Sequence, residues 1–94
     1  MIQGYRDRRT EAFAHGEFVA AFQGFHRQAA RRLASLNAVP SLQELRVMRG
    51  NRLEALRGAR EGQFSIRIND QWRICFKWNR GDAGPSDVEI VDYH

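Results

Sequence analysis

The chain has 94 residues, 43% of them hydrophobic and 11% aromatic, which is enough for one globular domain with a two-layer core. No apolar run approaches the ~20 residues of a membrane span, and residues 1–9 lack the apolar stretch of a signal peptide, so a single cytoplasmic domain over 1–94 is expected. Fifteen Lys and Arg against 11 Asp and Glu give a net charge of +4, which favours a polyanionic partner, either nucleic acid or an acidic protein.

Residues 1–5 offer little more than a sheet-edge pattern, with Ile2 and Tyr5 as its apolar positions. Residues 7–15 read as a short helix started by Asp7 or Thr10 and closed by Gly16. Phe18, Phe22, Phe25, Ala29, Leu33 and Leu36 then recur at spacings of three and four, one stripe of an amphipathic helix. Gly24 weakens its early part, so regular helix is expected over 26–37. Pro40 ends it, and Ser41-Leu42-Gln43-Glu44-Leu45 has the capping-box spacing of another helical turn.

Residues 52–56 form a short strand candidate, followed by a charged connector over 57–62. The next stretch, GQFSIRINDQWRICF over 62–76, has a period of two. Phe64, Ile66 and Ile68 form one row, continued by Trp72, Ile74, Phe76 and Trp78 beyond Asn69-Asp70-Gln71. Asn and Asp tolerate tight-turn backbone, so this is a β-hairpin. Its other row carries Arg67, Arg73 and Lys77. A loop marked by Gly81, Gly84 and Pro85 leads to a last strand over 87–93. The order predicts an α+β fold: two N-terminal helices packed on one face of a small antiparallel sheet, a two-layer sandwich with the cationic row looking outward.

Little of the usual site chemistry is present. His15, His26 and His94 are scattered, Cys75 has no partner cysteine, and neither His-x-x-x-His nor Cys-x-x-Cys occurs, so no metal or other cofactor is expected. Cys75, between Ile74 and Phe76, reads as a small semi-buried hydrophobe. What remains is Arg57, Arg60, Arg67 and Arg73 on the sheet and its loops, together with Asp92-Tyr93-His94. Arginines hold the non-bridging oxygens of a phosphodiester and stabilise the added charge of its transition state. Tyr and His move protons or stack on bases. RNA brings its own nucleophile, the 2′-hydroxyl.

These same residues carry a family resemblance. From Asn51 the chain reads NRLEALRGAREGQFSIRINDQWRICF, and it ends DVEIVDYH. The combination of SIRIN, QWRI and DYH resembles the HigB-type toxins of bacterial toxin–antitoxin systems, within the RelE/ParE superfamily. The resemblance implies a ribosome-dependent mRNA endonuclease that cuts translated message in the ribosomal A site and arrests growth. It also implies a helix-turn-helix antitoxin of the HigA type. By position, Arg73 matches the arginine that contacts the scissile phosphate. Asp92, Tyr93 and His94 match the C-terminal catalytic group, with His94 the leading proton-transfer residue. Arg57 stands where a lysine is usual and reads as a phosphate clamp, with Arg60 and Arg67 on the RNA-binding surface. Glu54 stands where some members have histidine, which removes a second histidine from the set. The rival implications are a ParE-like DNA gyrase inhibitor without nuclease activity, or an RNA- or ribosome-binding module without chemistry.

Overall fold

In the computed structural model, residues 1–92 are described, and their order of elements is helix, helix, helix and then four strands. Asp7 starts α1 (Arg8–Ala14) as its side chain predicts: extended backbone frees its Oδ1 to accept the Thr10 amide at 2.9 Å. Gly16, at φ 90°, takes the left-handed backbone that closes this helix. A 3-10 turn (Ala20–Phe25) leads directly into α2 (His26–Ala38), and α3 (Leu42–Val47) follows the break at Pro40.

The apolar stripe is buried from Phe22 onward, through Phe25, Ala29, Leu33 and Leu36. Phe18 departs from the expectation and stands 75% exposed. The 3.6-residue period does not extend back to it, because Val19 is extended and the next six residues wind as a tighter 3-10 turn. Ser41 also departs from its expected role. It precedes α3 but makes no side-chain cap; the first turn is closed by the Glu44 amide on the Ser41 carbonyl at 3.2 Å.

The sheet is antiparallel with order β1-β2-β3-β4. It comprises β1 (Glu54–Ala55), β2 (Phe64–Arg67), β3 (Trp72–Lys77) and β4 (Ser86–Asp92). The hairpin forms where the alternation predicts it, with Asn69 Oδ1 accepting the Gln71 and Trp72 amides to hold the turn. The strand expected over 52–56 reduces to two laddered residues. Hydrogen bonds from Arg67 N to the Asn51 carbonyl and from Leu56 N to the Gln63 carbonyl continue the pairing loosely on either side. The sheet-edge pattern over residues 1–5 reduces to one parallel bridge between Tyr5 and Val88.

Ile66, Ile68, Ile74, Phe76, Val88 and Ile90 face the helices and form one core with Phe22, Phe25, Leu33, Leu36 and Leu45. Trp72 stacks on Phe25 with ring centroids 4.8 Å apart and closes the core at the turn end of the hairpin. Thr10 ties α1 to the sheet, its Oγ1 accepting the buried Ile90 amide at 3.0 Å. Among the described residues no helix is long and apolar enough to cross a membrane.

The outer face differs from a bare cationic row. Ser65 and Cys75, cross-strand partners on that face, are fully buried. Arg73 folds back onto Ser65, while Arg6 and Arg60 pair with Glu89, the neighbour of Cys75 on β4. The arginine stems thus form a second, thin layer over the sheet. Lys77 is the member of the row that reaches furthest into water, 45% exposed and paired with Asp87 at 3.4 Å.

Candidate functional site

Arg73 is the best-positioned cation of the sheet. Its side chain is only 12% exposed. Nε donates to Ser65 Oγ at 2.8 Å, and Nη2 donates to the Arg52 carbonyl at 2.6 Å. Glu54 Oε1 stands 3.8 Å from Nη1, with its own side chain 56% exposed. Two neutral acceptors therefore fix the plane of the guanidinium, and one carboxylate sits at its open corner. Such a fork is held ready for an oxyanion with little further loss of side-chain freedom.

The other sequence-derived positions divide around it. Arg67 is the cross-strand partner of Arg73 and shares its face, with its guanidinium held by the Asp70 carboxylate. Arg60 donates to Gln63 Oε1 at 3.1 Å and to Glu89 Oε1 at 3.2 Å, linking the connector to β4. Arg57 is exposed and begins the 3-10 turn over Gly58–Arg60, at the opposite end of β2 from Arg67.

Asp92 pairs with Trp72, whereas Arg73 pairs with Val91. Successive residues of a strand point to opposite faces, so Asp92 lies in the helix-side row and Arg73 in the outer row. Asp92 Oδ2 accepts from Gln71 Nε2 at 2.9 Å, fastening the end of β4 to the hairpin turn. Tyr93 and His94 lie outside the described residues.

Three partners of Arg73 escaped the sequence reading. Ser65 carried a weak signal, a small polar residue opposite Cys75 among the cations of the outer row. Glu54 was visible only as a departure from histidine, yet among the described residues it is the carboxylate that pairs with the guanidinium. The Arg52 carbonyl carried no signal, since a backbone acceptor is not written in side chains. Burial pushes the Cys75 thiol above its ordinary value, against the opposing pull of Arg60 and Arg73, which fits a packed side chain and not a nucleophile.

This geometry can do one thing well: hold an oxyanion against a fixed guanidinium, with the Glu54 carboxylate beside it. A family model described as a RelE-like toxin of the type II toxin–antitoxin system HigB matches residues 10–94. The Toxin HigB-1 of Vibrio cholerae is 43% identical over 53 residues, and that stretch is 56% of this chain and 56% of that toxin. The alignment thus spans little more than half the length of the curated relative. With the family match running from α1 to the end of β4 and beyond, the chain belongs to the HigB-like, RelE-like toxins of type II toxin–antitoxin systems.

Proposed function

We propose that this toxin is a ribosome-dependent endoribonuclease that cuts mRNA in the A site, acting in the cytoplasm and neutralised by a helix-turn-helix antitoxin of the HigA type. The observation that carries the reading is the Arg73 guanidinium, fixed by Ser65 and the Arg52 carbonyl with Glu54 at its open corner. In the reaction, the 2′-oxygen attacks the adjacent phosphorus while the bond to the 5′-oxygen breaks. The products are a 2′,3′-cyclic phosphate and a 5′-hydroxyl. Glu54 takes the 2′-hydroxyl proton, His94 gives a proton to the departing 5′-oxygen, and Arg73 holds the non-bridging oxygens. Tyr93 stacks on a base. Asp92 serves by fixing the strand end from which Tyr93 and His94 continue.

A positioned acid or base contributes on the order of 10²–10⁴-fold, and one oxyanion donor about 10²–10³-fold. Holding the message in line for attack adds the remainder, and the ribosome supplies that geometry. Mapping mRNA 5′ ends after induction, beside a gyrase supercoiling assay, tests the reading. Wild-type toxin is expected to create new ends within translated codons and to leave supercoiling unchanged. Arg73→Ala and His94→Ala are expected to abolish the new ends and relieve growth arrest. Inhibited supercoiling without new ends makes the chain a gyrase poison. Cutting at the same codons by His94→Ala removes His94 from the mechanism.

A further inference from the structure

Around the edge of the sheet from Arg73, the hairpin turn and α2 enclose a cleft of about 280 Å3 lined in part by Gln28, Arg32, Gly50, Arg67, Asn69 and Asp70. Arg32 is anchored there. Its Nη1 donates to Asn51 Oδ1 at 2.9 Å, and Asn51 is fully buried. Asn51 is fixed in turn, donating through Nδ2 to the Leu45 carbonyl at 3.3 Å and accepting the Arg67 amide at its own carbonyl at 2.7 Å. Gly50 lets the guanidinium lie against the backbone: a Cβ at that residue, which has φ 81°, would stand 2.6 Å from Arg32 Nη2. No carboxylate among the described residues pairs with Arg32. The result is a pre-oriented cation with N–H donors to spare.

Arg67 forms the opposite wall, and its charge is met by Asp70, which stands 96% exposed on the turn. An ion pair so open to water is weak and readily exchanged for another anion. Two arginines against one carboxylate leave a surplus of one positive charge, the complement of one phosphodiester. Asn69 commits its Oδ1 to the turn, which leaves its Nδ2 to donate, and Gln28 adds a second amide.

The cleft adjoins the Arg73 site through the strand pairing and the residues that hold each arginine. Arg67 and Arg73 are direct cross-strand partners, whose side chains depart about 4.5–5.5 Å apart. The successive residues Asn51 and Arg52 hold Arg32 and Arg73 respectively. We propose that this cleft binds a phosphodiester flanking the one held at Arg73, in the same RNA strand, with Arg32 and Arg67 as its ligands and Asp70 as the anion it displaces. The proposal rests on the RNA-cleaving reading above. Adjacency to Arg73 favours an RNA strand over an acidic protein segment, because the regular phosphates of one strand can serve all three guanidinium groups.

Binding of a short, fluorescent, 2′-O-methylated single-stranded RNA to the full chain tests it. Arg32→Gln is expected to weaken binding roughly tenfold, the effect of losing one charge-assisted contact. It should also flatten the plot of log affinity against log salt by about 0.7, one phosphate contact on a single strand. Asp70→Asn is expected to tighten binding several-fold, whereas Glu11→Gln, which removes the same charge on α1, changes it little. Opposite signs in the first two variants are not produced by loss of fold. Should Arg32→Gln not fold, Asp70→Asn decides alone, and unchanged or weakened binding in that variant overturns the proposal. An equal gain in Glu11→Gln also overturns it, since net charge is then the whole effect. If the variants bind RNA as wild type does but lose the antitoxin, the cleft is a protein surface. Normal cleavage with unaltered RNA binding removes this site alone, while gyrase inhibition without cleavage removes the nuclease reading as well.

Discussion

Replacing Ser65 by alanine tests whether the position of Arg73, beyond its presence, governs the proposed cleavage. Ser65 is fully buried, and its hydroxyl accepts from Arg73 Nε at 2.8 Å. A buried hydrogen bond to a charged group contributes about 1.5–3 kcal/mol, because its loss leaves a desolvated donor without a partner. Taking ~2 kcal/mol, and 4–8 °C of Tm per kcal/mol for a domain of this size, Ser65→Ala lowers Tm by about 8–16 °C. The guanidinium stays tethered to the Arg52 carbonyl at 2.6 Å, so it pivots on one contact and does not leave the site. Full loss of an oxyanion donor costs about 10²–10³-fold in rate, and a displaced donor is expected to cost about tenfold. The assay is cell-free translation with primer extension on a defined message, run well below the variant's Tm. Wild-type cleavage rates in a folded Ser65→Ala protein would show that the hydrogen bond does not position the guanidinium for the proposed reaction. An unchanged Tm would show that it does not stabilise the fold either.

Two further outcomes concern the scaffold. Thr10→Val removes the acceptor of the buried Ile90 amide and is expected to destabilise the fold by about 1–3 kcal/mol, read as a lower urea midpoint with an unchanged slope. The Cys75 thiol, raised above the ordinary 9.0 by burial, should resist thiol reagents in the folded protein and react at once in denaturant. Its folded state binds the proton more tightly than the unfolded state, so its contribution to stability is complete below pH 9.0 and is lost as pH rises through the higher folded value.

The scaffold was legible where a local period and a local signal agreed. The hairpin combined strict alternation with Asn69 at its turn, and α2 combined a long apolar stripe with a proline stop. Phe18 and Ser41 show the limit of such patterns. A 3-10 turn changed the period ahead of α2, and a capping-box spacing did not by itself close a cap. The outer face was half legible. Alternation assigned Arg67, Arg73 and Lys77 to one row, but nothing in the alternation tells whether a long side chain extends into water or folds back on a small neighbour. Arg73 folds back because Ser65 leaves room and offers an acceptor. The separation of Asp92 from Arg73 required the register. Once Arg73 pairs with Val91, the next residue belongs to the opposite face, and no spacing within the final motif reveals that.

The edge strand explains why Arg73 is held so firmly. Arg52 has φ 46°, a left-handed conformation that costs a non-glycine residue roughly 1–2 kcal/mol. Such backbone persists only where its surroundings impose it, and it recurs where a site needs an unusual direction. The Asn51 carbonyl accepts the Arg67 amide in the manner of a strand, while the next carbonyl, that of Arg52, accepts from the Arg73 side chain. A regular strand would aim that second carbonyl within the plane of the sheet. The turn at Arg52 brings it to the outer face, and regular pairing with β2 resumes only at Glu54, whose carboxylate faces the same guanidinium. Two features that are unfavourable by themselves, a left-handed arginine and a buried serine hydroxyl, converge on one side chain. That convergence is the physical ground for proposing Arg73, and not the more exposed Arg57, as the main ligand of the reacting phosphate.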